Sequence, residues 1–473
     1  MKHLEIAKIG ENKGAPRVWI EGRKAAIAGF LPGTRYRATV NPERALLSLE
    51  IADDGLRIVS KKTKGDVELP VLDLNSHELL SMFAGLNAVR VVVSNNRIDI
   101  LPVASEIRAK KRLERLKAQF AAHLPVTMGA VSSGIGILDL AAHEGLALAG
   151  VESTLAFACE IRDDCMEHAA AKNPAFGPET ITLTMPMQEL VFDQFAMSKL
   201  PEPTIFQGGI PCSGASKSGR SKLGLKHPED HPEVGHLVVP YIGMIGRLNP
   251  VACLLENVLP YRSSASMSIL RSALRDLGYD VHEIELDAGD WNMIEPRQRF
   301  FMVAVTKGIK FSFSDLKKPE PCTRTFGEVM EDVDPAHSTW GNIDYLWNKR
   351  DRDAAAGKGF APTVIDASST KVPTQTKNLA KRQSTGTFIQ HPTDPTLYRI
   401  PTVKEHAALK GVPSMLIENT TQGFGHECLG QAVSMPPVVS IFEALGNSLR
   451  NYALGTQTVE QPVIIRENLF AAA

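Results

Sequence analysis

From Val126 onward the sequence repeats one pattern: a short uncharged apolar run, then a longer stretch with helical spacing. Val126 to Val131, Leu155 to Cys159, Thr204 to Phe206 and Val251 to Leu255 have the length of buried strands. Leu138 to Leu148, Gly235 to Leu248 and Ser266 to Leu277 have the periodicity of helices between them. Strands alternating with helices in this way form a parallel sheet covered on both faces, because a parallel neighbour cannot be reached through a tight turn. In such α/β sheets ligands bind beyond the carboxyl ends of the strands. Chemistry is therefore expected in the residues just after each strand.

At 473 residues the chain exceeds what a single core usually covers, and its composition shifts along its length. Residues 1–104 alternate over Pro16 to Ile20, place Gly33-Thr34 before Arg35 to Val40 and are rich in valine and isoleucine over Val89 to Ile100, which predicts a small β-rich domain. A helix over about residues 105–125 carries Lys110, Lys111, Arg112, Arg115 and Lys117. A solvated basic linker face is the favoured reading there, with a nucleic-acid contact as the alternative. Residues 126–334 and 396–455 form the α/β domain, and 335–395, poor in periodicity and rich in Thr, Ser, Lys, Pro and Asp, read as a loop-rich insert.

Overall charge excludes one argument. The formal net charge is -1, so a nucleic-acid partner must be met by a local basic surface and not by the whole molecule. Six cysteines without a C-x-x-C spacing predict neither a zinc site nor a disulfide framework, so no metal is expected. No run of 18 uncharged apolar residues occurs, which predicts a cytoplasmic protein with no membrane partner.

Four segments carry chemistry-bearing residues at the expected positions. Ser132-Ser133-Gly134-Ile135-Gly136 follows the first strand and opens a helix, where glycines let the backbone approach a ligand, although Gly-x-Gly after a strand is equally a tight turn. Glu160 ends the next strand, followed by Ile161, and an acid there is placed to accept hydrogen bonds from ribose hydroxyls. Gly208-Gly209-Ile210-Pro211-Cys212-Ser213 puts a thiol on a loop with Lys217, Arg220 and Lys222 close behind, and cations near a thiol lower its pKa. Glu256 and Asn257 close a further strand, where they are either part of the same crevice or a helix cap. Arg297 and Arg299 open the strand Phe300 to Val305, with guanidinium forks suited to phosphate or to the keto oxygen of a base, a surface ion pair being the alternative.

Taken in order, these segments resemble the cytosine C5 DNA methyltransferase family, from about Thr127 to Leu449. The Gly-x-Gly turn is similar to its first cofactor motif, Pro211-Cys212 to its catalytic loop, Glu256-Asn257-Val258 to its ENV motif, and Arg297 and Arg299 to the arginines of Q-x-R-x-R. Tyr398 to Glu405 and Leu409 to Pro413 resemble the segment after the target recognition domain, and Leu429-Gly430-Gln431-Ala432-Val433 the last motif. The chain departs from the family pattern at Ser132, Glu295 and Gln431, where phenylalanine, glutamine and asparagine are usual.

The resemblance implies a Rossmann-like S-adenosylmethionine-dependent methyltransferase domain with a small target recognition domain, the insert at 335–395. It implies that Ser133, Gly134, Ile135, Gly136, Glu160, Ile161, Pro211, Gln431 and Val433 bind the cofactor. Cys212 would be the nucleophile, with Glu256, Arg297 and Arg299 in the catalytic set. The expected partner is double-stranded DNA whose target cytosine is flipped out, with or without a cognate restriction endonuclease. Lys349, Arg350, Arg352, Lys371, Lys377, Lys381 and Arg382 in the insert are expected at phosphates. The same chemistry on tRNA and a weakened DNA-binding regulator are the alternative functions.

Overall fold

The computed structural model describes residues 1–12, 14–83, 86 and 88–457, without the side chains of Lys217, Ser218 and Lys222. The chain divides into two compact units, Met1–Lys111 and Arg112–Ala473.

In the larger unit the apolar runs lie side by side in a seven-stranded sheet. Its order is Ile181–Thr184, Ser153–Glu160, Val126–Val131, Ile205–Gly209, Ala252–Asn257, Gln298–Thr306 and Tyr279–Asp287. The first five strands pair in parallel, as their burial on both faces predicts. Gln298–Thr306 runs antiparallel to both of its neighbours. Only a short connection through Ala288–Trp291 separates it from Tyr279–Asp287, too little chain for a crossover helix. Helices Ile137–Leu148 and Met435–Ala453 bury one face of the sheet, and Val238–Leu248 with Ala265–Asp276 cover the other.

Helices Ile137–Leu148 and Met435–Ala453 approach so closely that a Cβ on Gly145 would sit 2.4 Å from the Val439 carbonyl oxygen. The first helix of the domain thus packs against its last. Between Thr306 and Gln422 the chain forms a smaller layer: helix Asp344–Ala355 and a four-stranded sheet ordered Gly341–Asn342, Leu397–Arg399, Thr387–Gln390, Thr363–Ile365. Phe326, Ile365, Val372 and Ile389 form one of its cores, Ile343, Leu346 and Phe388 another.

The helix Ala104–Ala121 corrects the reading of a solvated basic face at two positions. Arg112 is fully buried, donating to Thr306 Oγ1 at 2.9 Å, Asn249 Oδ1 at 3.0 Å and the carbonyls of Leu277 and Gly278, with its guanidinium 4.0 Å from the Tyr279 ring centre. Arg115 pairs with Glu202 and donates to the Asn249 carbonyl at 2.7 Å. Five donors on a rigid plane can satisfy several oxygens at once, which is how a guanidinium is held in the interior.

The smaller unit is β-rich. A six-stranded antiparallel sheet, ordered His3–Lys8, Ala88–Ser94, Arg97–Pro102, Leu46–Ile51, Arg35–Asn41, Arg57–Ile58, accompanies a four-stranded sheet of Gly10–Asn12, Ala15–Glu21, Val67–Leu74 and Ser60–Lys64. The valine-rich stretch over 89–100 is a hairpin, turned at Asn96 with φ 53°. Leu47, Val91, Ile98 and Phe30 fill the core of this unit. Among the described residues no single helix is long and apolar enough to cross a membrane, and no group of His, Cys, Asp and Glu is arranged to hold a metal.

Candidate active site

The carboxyl ends of the parallel strands open onto one cavity of about 690 Å³. One wall is the turn after Val126–Val131. Ser133, Gly134 and Ile135 line it, and a Cβ on Gly134 would meet nothing within 4 Å, so this backbone lies bare to the space. Glu160, buried at the end of the next strand, accepts from Gly134 N at 2.8 Å and from Arg162 N at 3.1 Å. One carboxylate thus fixes two loops and keeps lone pairs on both oxygens. Ile161 lies beside it, 64% exposed, an apolar surface at the cavity wall.

Gly136 is on the turn but does not line the cavity. It caps the helix in a left-handed conformation, φ 76°, where a Cβ would come 2.4 Å from Asn173 Nδ2. Asn173 Nδ2 in turn donates to the carbonyls of Ile135 and Gly136. Ser132 also holds positive φ, 54°, a conformation that costs a residue with a Cβ about 1 kcal/mol.

The opposite wall comes from the fourth strand. Gly208 packs so tightly that a Cβ would stand 2.6 Å from the Val131 carbonyl oxygen, and beyond it Pro211 and Cys212 line the cavity. The Cys212 carbonyl accepts from Ala215 N and Ser216 N, closing a single turn, and Ser216 Oγ caps the next helix at Gly219 N. Asn257 is not a helix cap. Its Nδ2 donates to the Ile210 carbonyl at 2.9 Å, two residues before the thiol.

Glu256 lines the same cavity and meets Arg299, Nε to Oε1 at 3.0 Å. Burial pushes the Glu256 carboxyl up from its ordinary pKa, and the charges of Arg299 and Arg297 only partly oppose this. The Cys212 thiol is also raised. Its surface opens on the cavity, yet the surrounding protein withholds much of the bulk water, and the Glu256 charge adds to the effect against Arg299 and Arg297. The expectation of a thiol lowered by following cations is therefore not met: Arg220 turns to the Lys226 carbonyl, and the side chains of Lys217 and Lys222 lie outside the described residues.

Arg297 and Arg299 diverge. Arg299 reaches Glu256, whereas Arg297 is 3% exposed and donates from Nη2 to the Gly430 carbonyl at 3.0 Å. Burial and the nearby Arg299 charge bring the Arg297 guanidinium down to about 10. Gly430 precedes Gln431 and Val433, both of which line the cavity. Sequence reasoning missed Met185, Pro186, Met187 and Gln188 on the cavity rim, and Glu233, Val234 and Leu237 beside the thiol loop. The first group follows strand Ile181–Thr184, so its position after a strand was the available signal.

An acid after the second strand, a bare-backbone turn after the first and a thiol after the fourth, on a sheet closed by one antiparallel strand, define the Rossmann-like methyltransferase fold. Two solved structures share it: the Schizosaccharomyces pombe (S. pombe) Dnmt2 methyltransferase, TM-score 0.52 and 19% identity over 68% of this chain and 98% of that one, and the Entamoeba histolytica methyltransferase EhMeth, TM-score 0.52 and 16% identity over 71% and 99%. The model of the C-5 cytosine-specific DNA methylase family matches residues 130–447, and the chain belongs to that family. It is 28% identical over 262 residues to the Type II methyltransferase M.MspI of Moraxella sp and 27% identical over 256 residues to M1.ScrFI of Lactococcus lactis subsp. cremoris. These matches take in 54% and 52% of this chain and span 60% and 63% of the two relatives' own lengths.

Proposed function

We propose that the protein transfers a methyl group from S-adenosylmethionine to C5 of a flipped-out cytosine in double-stranded DNA, with Cys212 as the nucleophile. The observation that carries this reading is that the Cys212 thiol and the Glu256 carboxyl, the latter paired to Arg299 at 3.0 Å, face the cavity that Glu160 and the Gly134 backbone also line.

The donor fits the residues present. Gly134 and the helix amino end behind it leave room for a ligand backbone, Glu160 has lone pairs for ribose hydroxyls, and Ile161 offers an apolar face to a base. Ser133, Ile135, Pro211, Gln431 and Val433 complete the walls that would hold it, and Gly136 supports the turn from behind. S-adenosylmethionine supplies an electrophilic methyl group when bound.

The chain's own residues then act on the base. The Cys212 sulfur, deprotonated, bonds to C6, and the electron pair displaced from the C5–C6 double bond makes C5 nucleophilic. Glu256, held toward its protonated form by burial, donates to N3 as charge builds on the ring. Arg299 keeps that carboxyl in place and would steady the O2 side of the base. Loss of the C5 proton to a base then expels Cys212 and restores the ring.

Arg297, turned to Gly430, acts through position rather than contact. Flipping the base costs about a few kcal/mol, which contacts to the backbone must offset. In the insert, Lys349 pairs with Asp353 and Arg350 with Asp351, and Arg382 donates to the Thr339 carbonyl. Of the seven cations named in the insert, Arg352, Lys371, Lys377 and Lys381 are exposed and make no ion pair among the described residues, which leaves them available to phosphates.

The test is expression in a host lacking cytosine methylation, followed by base-resolution mapping of its DNA, with Cys212→Ala in parallel. Methylcytosine in one short sequence context, absent in the variant, is the expected result. Unmodified DNA from soluble wild-type protein sinks the reading, and methylcytosine in the host tRNA in its place assigns the same chemistry to RNA.

A further inference from the structure

Behind the cavity wall lies a buried charged cluster for which methyl transfer as described has no use. Glu295 and Lys410 are both fully buried, with Lys410 Nζ 2.7 Å from Glu295 Oε1. The same oxygen accepts from Gln375 N at 3.2 Å and lies 3.7 Å from Arg297 Nη1. Three segments remote in sequence thus converge on one carboxylate.

Each is tied a second time. Val372 N donates to the Ile294 carbonyl and Thr374 Oγ1 to the Pro296 carbonyl, which lays the stretch Val372–Lys377 along the entrance to strand Gln298–Thr306. Arg297 Nη2 holds the Gly430 carbonyl, and a Cβ on Gly430 would lie 2.1 Å from Lys377 N. The Lys410 carbonyl accepts from Met435 N, just past Val433.

We propose that Glu295 and Lys410 are positioning residues for the transfer. Their ion pair fixes Arg297, and through it the Gly430–Gln431 wall of the cavity, to the insert segment Val372–Lys377. The proposal rests on the methyl-transfer reading for its consequence in rate, but not for the coupling itself. A buried carboxylate between two cations is strongly held while both are charged. Removing it leaves Lys410 and Arg297 facing each other in a medium of low polarity, which forces one of them to move or to lose its proton. Removing both partners of the pair with amides of similar size restores a neutral hydrogen bond.

Lys410 is also the group in the cluster that titrates near neutrality. Burial, with the Arg297 charge, brings it to about 7. Arg297 and Arg299 face it from the Gln298–Thr306 end and His406 from helix Val403–Ala408, with His426 behind His406. His406 is held well below its ordinary pKa by burial and His426 is lowered to about 4, so both stay neutral there.

The test compares full-length wild type, Glu295→Gln, Lys410→Gln and the double variant by amide hydrogen exchange, with kcat for transfer from S-adenosylmethionine to unmethylated bacterial DNA measured on the same samples. Each single substitution is expected to lower protection in peptides spanning 372–377 and 425–433 together and to reduce kcat about tenfold, and the double variant to return to within about threefold of wild type. Where a single variant fails to fold, wild type and double variant decide: from pH 6 to 8.5 the intrinsic-rate-corrected protection of both peptides should fall in wild type as Lys410 loses its proton and stay level in the double variant. Unchanged protection in the single variants, a double variant no better than the worse single, or a level wild-type profile overturns the proposal. Absence of any transfer by wild type overturns the function reading alone, because protection and its rescue still decide the pair.

Discussion

Cys212 and Glu256 work against each other in the resting protein. A charged Glu256 raises the thiol, and a thiolate would raise the carboxyl, so the crevice favours the state in which both keep their protons. In the proposed reaction the thiolate is therefore needed while Glu256 still holds its proton, because a carboxyl that keeps its proton puts no negative charge beside the sulfur. The sign of this coupling is measurable without substrate. Alkylation of Cys212 by iodoacetamide should show a pH midpoint above that of a free thiol, shifted down in Glu256→Gln and up in Arg299→Met. Cys322 is also exposed, so Cys212→Ala supplies the background rate. Equal midpoints in all three proteins would show that the charges do not reach the sulfur.

At the scale of elements, the site depends on how closely two strands approach. Gly208 lies against Val131 with no room for a methyl group, and Glu256 and Cys212 stand just beyond that contact. Gly208→Ala should lower stability by about 1–3 kcal/mol through overpacking and lower kcat more than it weakens donor binding, because it pushes the thiol strand away from the acid. A variant with wild-type kcat and melting temperature would contradict this account.

The strands, the bare turn, Glu160, Cys212 and Glu256 were legible in the sequence because each depends on local hydropathy and on a position just after a strand. The destinations of Arg297 and Asn257 were not. Two arginines two residues apart read alike until Gly430, far along the chain, accepts from one of them, and Asn257 finds its partner on a different loop. The insert read as loops because its strands are two to four residues long, too short for periodicity to register. Its helix Asp344–Ala355 has few apolar positions to mark it.

Across the whole molecule, a run of basic residues turned out to be partly interior. The boundary between the two compact units falls within helix Ala104–Ala121, and Arg112, the first residue of the larger unit, is bound to four groups of that unit. Arg112→Met would take the guanidinium donors away from Thr306 Oγ1, Asn249 Oδ1 and the Leu277 and Gly278 carbonyls, the last of which keeps its bond from Lys307 N. The expected loss is about 3 kcal/mol, seen as a lower denaturant midpoint for the larger unit, whereas exposed Lys371→Met should change it by less than about 0.5 kcal/mol. Coincident midpoints for Arg112→Met and wild type would mean those acceptors are met in some other way.

The packing of helix Met435–Ala453 against Ile137–Leu148 has a consequence for how the protein is made. During synthesis the sheet strands, the thiol loop and the acid leave the ribosome well before the helix that covers their first crossover. A nascent chain stopped near Thr306 would already contain Cys212 and Glu256, but the groove between Gly145 and Ala149 would be bare and the Gln431 wall of the cavity would not yet exist. On the proposed function, competence to modify a base would therefore arrive as a late event in the life of each chain, after the insert has emerged, and an unfinished chain would carry the Cys212 thiol without a complete cavity around it.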